Sequence, residues 1–142
     1  MTTRRGFIGS TMAVVALAIA SGSVWAAAPT VEIVAMAHPP VQSALKPLRD
    51  WLASQGSKFR VVELDAESQQ GEKRLAAVGL NGHVPIAILI DGKMQHRRKD
   101  GNAVTFVNFP AVKESPSGIR GNWLTEDVQA ALLERLSKRA LK

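Results

Sequence analysis

The chain has 142 residues, 46% of them hydrophobic and 21% charged, a balance that fits one folded domain of ordinary size and excludes a disordered tail. It holds no Cys, which excludes thiol chemistry and a disulfide scaffold. The formal net charge is +6, of which two belong to arginines in an N-terminal segment read below as removable; the +4 that remains is mild, and a nucleic-acid binder concentrates far more positive charge on one face, so no nucleic-acid partner is expected.

In chain order, residues 1–28 read as a removable address. Arg4 and Arg5 precede Gly6 and Phe7, an apolar run follows over residues 12–19, and small residues gather at Ala26, Ala27 and Ala28. Positive end, greasy middle and small residues at the cut are the order of a signal peptide. The run is too short to span a bilayer, which takes roughly 20 apolar residues. The Arg4-Arg5 pair resembles the twin-arginine export signal, and a general secretory signal that happens to hold adjacent arginines is the alternative. Either route predicts an exported, periplasmic protein cleaved after Ala26 or after Ala28, with residues 29–142 as its one domain. Loss of Arg4 and Arg5, with no acid beside them, lowers the charge from +6 to +4.

Residues 31–37 predict a strand, because Val31, Ile33 and Val34 are β-branched and Pro39-Pro40 cannot continue a ladder. Residues 41–55 switch to helical spacing, with Val41, Ala44, Leu45, Leu48 and Leu52 on one stripe. Pro47 lies inside this pattern, which predicts a kink, and Gly56 ends it. A second strand is expected over residues 59–64. Ser68 is a candidate N-cap for a short helix through Glu72, Leu75, Ala76 and Val78 that stops at Gly79. This alternation favours a parallel strand pair. The continuous apolar stretch over residues 86–90 reads as a strand buried on both faces. Asp91-Gly92 is a turn, after which residues 93–98 and 103–109 complete an antiparallel meander. Residues 110–122 are loop by composition, and Thr125 is expected to cap a closing helix whose core face is Val128, Leu132 and Leu136. Trp51, Trp123, Phe106 and Phe109 are expected as core or loop anchors.

This order resembles the thioredoxin fold over nearly all of residues 29–142. Three features carry the resemblance: Val31-Glu32-Ile33-Val34-Ala35 running into a turn and an amphipathic helix, the segment Gly79-Leu80-Asn81-Gly82-His83-Val84-Pro85, and the apolar strand with Asp91-Gly92 that follows. The middle segment is similar to the family's Gly-x-x-Gly-hydrophobic-Pro signature with His83 as one extra residue. The resemblance implies an α/β fold with a central mixed sheet of four to five strands flanked by about three helices, and a cis bond at Val84-Pro85. It also implies a departure. His38 and Val41 stand where the family carries its two thiols, so disulfide exchange has no nucleophile. Glu32 falls where many members hold a buried acid.

If that fold holds, the helix-start loop and the loop before Pro85 meet. His38, Pro39, Pro40, His83, Val84 and Pro85 then form the expected surface for a peptide or an envelope protein, a mode that needs no cysteine. The alternative is binding or delivery of copper or another transition metal through His38, His83 and Met36. No catalytic residues are expected, since neither a Gly-x-Ser-x-Gly elbow nor a phosphate-cradling loop is present. The loop over residues 110–122 is a second candidate contact surface. The basic tract containing Arg97, Arg98 and Lys99 reads as a solvated hairpin, or as a weak contact to an anionic surface. The sequence leaves the oligomeric state open.

Overall fold

The computed structural model describes residues 27–142, so the proposed signal segment and most of its cleavage region lie outside the described residues. Its first strand, β1 (Thr30–Ala35), is the centre of a three-stranded sheet in the order β2-β1-β3. Strand β2 (Arg60–Asp65) lies parallel to β1, with Thr30 beside Arg60 and Ala35 beside Asp65. Strand β3 (Ile86–Ile90) runs antiparallel along the other edge, with Val31 beside Ile90 and Ala35 beside Ile86.

Two short strands, β4 (Gln95–Arg97) and β5 (Ala103–Thr105), form a separate antiparallel pair. The expected single sheet of four to five strands is therefore divided into three and two. Past β5 the chain still runs beside β3, where Phe106 O accepts from Ile88 N at 2.9 Å and Ile86 O accepts from Asn108 N at 2.8 Å. The ladder is interrupted because Val107 N donates to Thr105 O at 2.9 Å, a three-residue turn, and Asn108 takes φ 69°. The Asp91-Gly92 turn stands as expected. With φ 48° and 80° at its centre it matches the twist of the strands it joins, and Ile90 and Lys93 exchange both backbone bonds, at 2.8 and 3.0 Å.

Helix α1 (Pro39–Ser54) starts two residues earlier than its apolar stripe, since Pro39 and Pro40 sit in the first turn, where no N–H partner is needed. It continues through Pro47 and buries Val41, Leu45, Leu48 and Leu52. Helix α2 (Gln69–Ala77) is capped by Ser68, whose hydroxyl accepts from Gly71 N at 3.1 Å. Gly71 is required by packing: a Cβ there would run into the backbone carbonyl of Asp65. Helix α3 (Thr125–Ala140) begins at the residue expected to be its cap. Leu124 takes the cap position instead, and the side chain of Asp127, three residues on, reaches back so that its Oδ2 accepts from Leu124 N at 2.8 Å.

The strands alternate across two cores, as their period of two requires. Val31, Ile33, Ile86, Ile88 and Ile90 pack with α1, α3, Phe106 and Trp123 on one face. Val34, Ala87 and Leu89 pack with Leu75 of α2 and Ala66 on the other. All five residues of β3 are buried, as its uninterrupted apolar run predicts. Trp123 and Phe106 are fully buried and meet edge to face at 6.2 Å, while Trp51 stacks on Phe59 at 5.6 Å. Among the described residues no helix is long and apolar enough to cross a membrane.

Candidate functional site

The thinner α2 face leaves a cleft of about 450 Å³ between the end of α2, the loop that follows it, and the loop leaving β1. Met36, Leu75, Ala76 and Leu80 give it an apolar lining, and Glu67, Glu72 and His83 supply charge and hydrogen-bonding capacity. Asn81, Gly82 and His83 also line it, and their backbone N–H groups have no partner among the described residues. The loop is held at both ends: Leu80 N donates to Leu75 O at 2.9 Å, and Val84 N to Gly82 O at 3.1 Å. Gly82, at φ 82°, takes the left-handed conformation that turns the chain there.

The six residues expected to share one surface are divided by the structure. Met36, His83 and Val84 line this cleft. His38 stands on its border through a 3.0 Å bond between its Nε2 and the carboxylate of Glu67, both side chains being about half exposed. Pro39 is exposed at the start of α1, and Pro40 lines a different cleft. Val84 and Pro85 are buried, so little of either is presented to a partner. The two loops do meet, because Met36 N donates to Pro85 O at 3.0 Å and extends the β1–β3 pairing by one residue.

The cis bond implied at Val84-Pro85 is absent: no peptide bond among the described residues is cis. The extended ladder accounts for the trans form, since Pro85 continues the strand direction and contributes only its carbonyl, which needs no reversal of the chain.

A second, more apolar cleft of about 500 Å³ lies between α1 and the segment after Asn108. Pro40, Ala44 and Pro47 form one wall and Phe109, Pro110, Val112 and Pro116 the other. The expected loop over residues 110–122 is closed on itself. Ser115 Oγ donates to Pro110 O at 2.6 Å, Arg120 Nη2 to Ser115 O at 2.6 Å, and Ala111 N to Trp123 O at 2.7 Å.

Three ion pairs that no local spacing announces fix the surroundings. Glu32 is half-buried and bound through both oxygens by Arg74, at 2.7 Å each, which raises the Arg74 pKa against the lowering effect of its burial. Glu32 is thus a paired carboxylate. Arg98 holds Asp127 in the same forked way, at 2.7 and 2.6 Å, and this bonding keeps the Asp127 carboxyl below its ordinary value despite its burial. Of the basic tract, Arg98 is therefore turned inward to α3, while Arg97 and Lys99 remain exposed. Asp91 joins two ends of the chain, accepting from Thr30 N at 3.0 Å and from Arg139 Nη2 at 2.9 Å.

Among the described residues no group of three or more His, Asp or Glu side chains is placed to hold a metal ion. Sequence reasoning missed Glu67, Glu72 and Leu80, because they enter the first cleft from α2 and its flanking loops, elements whose facing residues are set by packing. Comparison of the chain with protein-family models, curated proteins and solved structures finds no match.

Proposed function

We propose that the chain is an exported, non-redox module of thioredoxin-like fold that receives an extended peptide segment of an envelope protein in the cleft beside Met36 and His83. The export reading rests on the residues of the N-terminal segment. The fold reading is supported by the sheet order β2-β1-β3, by the run of residues 106–108 along β3, and by α1 and α3 packing opposite α2. With no Cys in the chain, such a fold has no thiolate for disulfide exchange, whereas backbone pairing with an extended peptide needs no cysteine.

One observation carries the binding site: a 450 Å³ cleft in which an apolar lining adjoins three consecutive backbone N–H groups with no partner among the described residues. An extended peptide can offer its carbonyls to these groups while an apolar side chain enters between Leu75 and Leu80. Glu67 and Glu72 at the same cleft favour a segment carrying Lys or Arg.

The test is selection of binders from a random peptide library followed by amide chemical-shift mapping. Selected peptides should shift Met36, His38 and residues 80–84, and should lose binding to an Ala76→Arg variant, whose exposed helix position tolerates the change while the longer side chain fills the cleft. Peptides that shift only the α1 cleft at Pro40 and Val112, or that bind Ala76→Arg equally well, would refute this placement.

A further inference from the structure

A third cleft, of about 170 Å³, opens on the opposite side of the molecule from α2, between β4 and α3. It is lined by His96 and Arg97 from the strand and by Glu134, Arg135 and Lys138 from the helix, with Ile90 and Ala131 as apolar members. We propose that this cleft is a binding site for a phosphate group.

The argument begins with charge. Three permanent cations, Arg97, Arg135 and Lys138, face one carboxylate, Glu134, which leaves two positive charges in a confined space. A phosphate dianion matches that excess, whereas a carboxylate would leave half of it uncompensated. The cations also come from two elements, so they approach a ligand from both sides.

The free donors are unevenly engaged. Arg135 is partly buried, and its guanidinium makes no hydrogen bond or ion pair among the described residues. Arg97 donates from Nη1 to Gly101 O at 2.8 Å, which leaves its other N–H groups available. Lys138 is bonded to Glu134, and an ammonium has three donors, so this contact still leaves two. Glu134 is the counter-ion already in place: His96 Nδ1 stands 3.8 Å from its carboxylate, and His96 is itself fixed by stacking on Phe106 at 6.4 Å. The site is therefore built on rigid elements, a strand pinned by an aromatic stack and one turn of a helix. The inward anchoring of neighbouring Arg98 by Asp127 holds the strand against α3.

Inorganic phosphate is the probe, added to the isotope-labelled protein at constant ionic strength with chloride as the control ion. Saturable shifts should appear at Arg97 and across residues 134–138. Arg135→Gln should weaken binding about ten-fold, and Glu134→Gln should tighten it by a similar factor. Glu134 is exposed and Arg135 half-buried with no hydrogen-bond partner among the described residues, so circular dichroism should show an unchanged fold. Glycerol phosphate in solution and vesicles of phosphatidylglycerol in phosphatidylcholine then separate the two sources of the same chemistry. Saturation by the soluble ester assigns a free phosphate, and vesicle binding lost in Arg135→Gln without it assigns a headgroup. Shifts that chloride reproduces, or that Arg135→Gln leaves unchanged, would overturn the site.

Discussion

Replacing Asp127 by Ala removes three hydrogen bonds at once: those from Arg98 Nε and Nη2, at 2.7 and 2.6 Å, and that from Leu124 N, at 2.8 Å. The lost cap contributes about 1 kcal/mol, and charge-assisted bonds of this kind contribute about 1.5–3 kcal/mol when buried. The Arg98 side chain is 32% exposed, so water recovers part of the latter, and a total near 3 kcal/mol is expected. For a domain of this size that is a fall in Tm of roughly 12 °C. Denaturant unfolding of Asp127→Ala, Arg98→Ala and the double variant forms a cycle, in which the two losses should be smaller together than their sum. Acid supplies a second arm. The Asp127 pKa is lowered in the fold from the ordinary 3.8, so its stabilisation is fully present above the unfolded value and is lost as the pH falls through the folded one. Wild type should therefore lose stability relative to Asp127→Ala below about pH 4. A single-variant loss under about 1 kcal/mol, additive effects in the cycle, or parallel acid profiles would refute the reasoning that this pair fastens the β4–β5 ribbon to α3.

Gly71→Ala should cost more than about 2 kcal/mol in urea unfolding, because the new methyl meets the Asp65 carbonyl of the preceding strand end. Leu48→Ala, at a fully buried position of α1, should cost about 2–5 kcal/mol by the same assay. Trp123→Phe should lose about 1–3 kcal/mol, since it removes the indole bond to Asn108 O at 3.1 Å. It should also raise amide hydrogen exchange at Ala111, whose N–H is held by the Trp123 carbonyl. Glu32→Ala should destabilise more than the Glu32→Ala, Arg74→Ala double variant does relative to Arg74→Ala alone, the signature of a coupled pair rather than two independent surface charges.

What the residues specify on their own is what depends on neighbours in the chain. The apolar stripe from Val41 to Leu52, the unbroken run of β3, the Ser68 cap and the Asp91-Gly92 turn are each a local pattern with a local cause, and each stands in the fold. The absence of Cys likewise settles by composition alone that no disulfide chemistry is available. Packing decided the rest. Whether β5 reaches β3 as one ladder depends on a turn at Thr105 and Val107, and whether Thr125 or Leu124 caps α3 depends on where the Asp127 carboxylate swings. The partner of Glu32 lies 42 residues away, and that of Arg98 lies 29 residues away. The surface expected from His38 to Pro40 and from His83 to Pro85 was divided for the same reason. The strand pairing that joins Met36 to Pro85 draws Val84 and Pro85 into the interior, and α2 brings Glu67, Glu72 and Leu80 to the cleft in their place. Such juxtapositions follow from which faces bury most apolar surface when the elements dock, a property of the assembled layers that no stretch of chain carries alone.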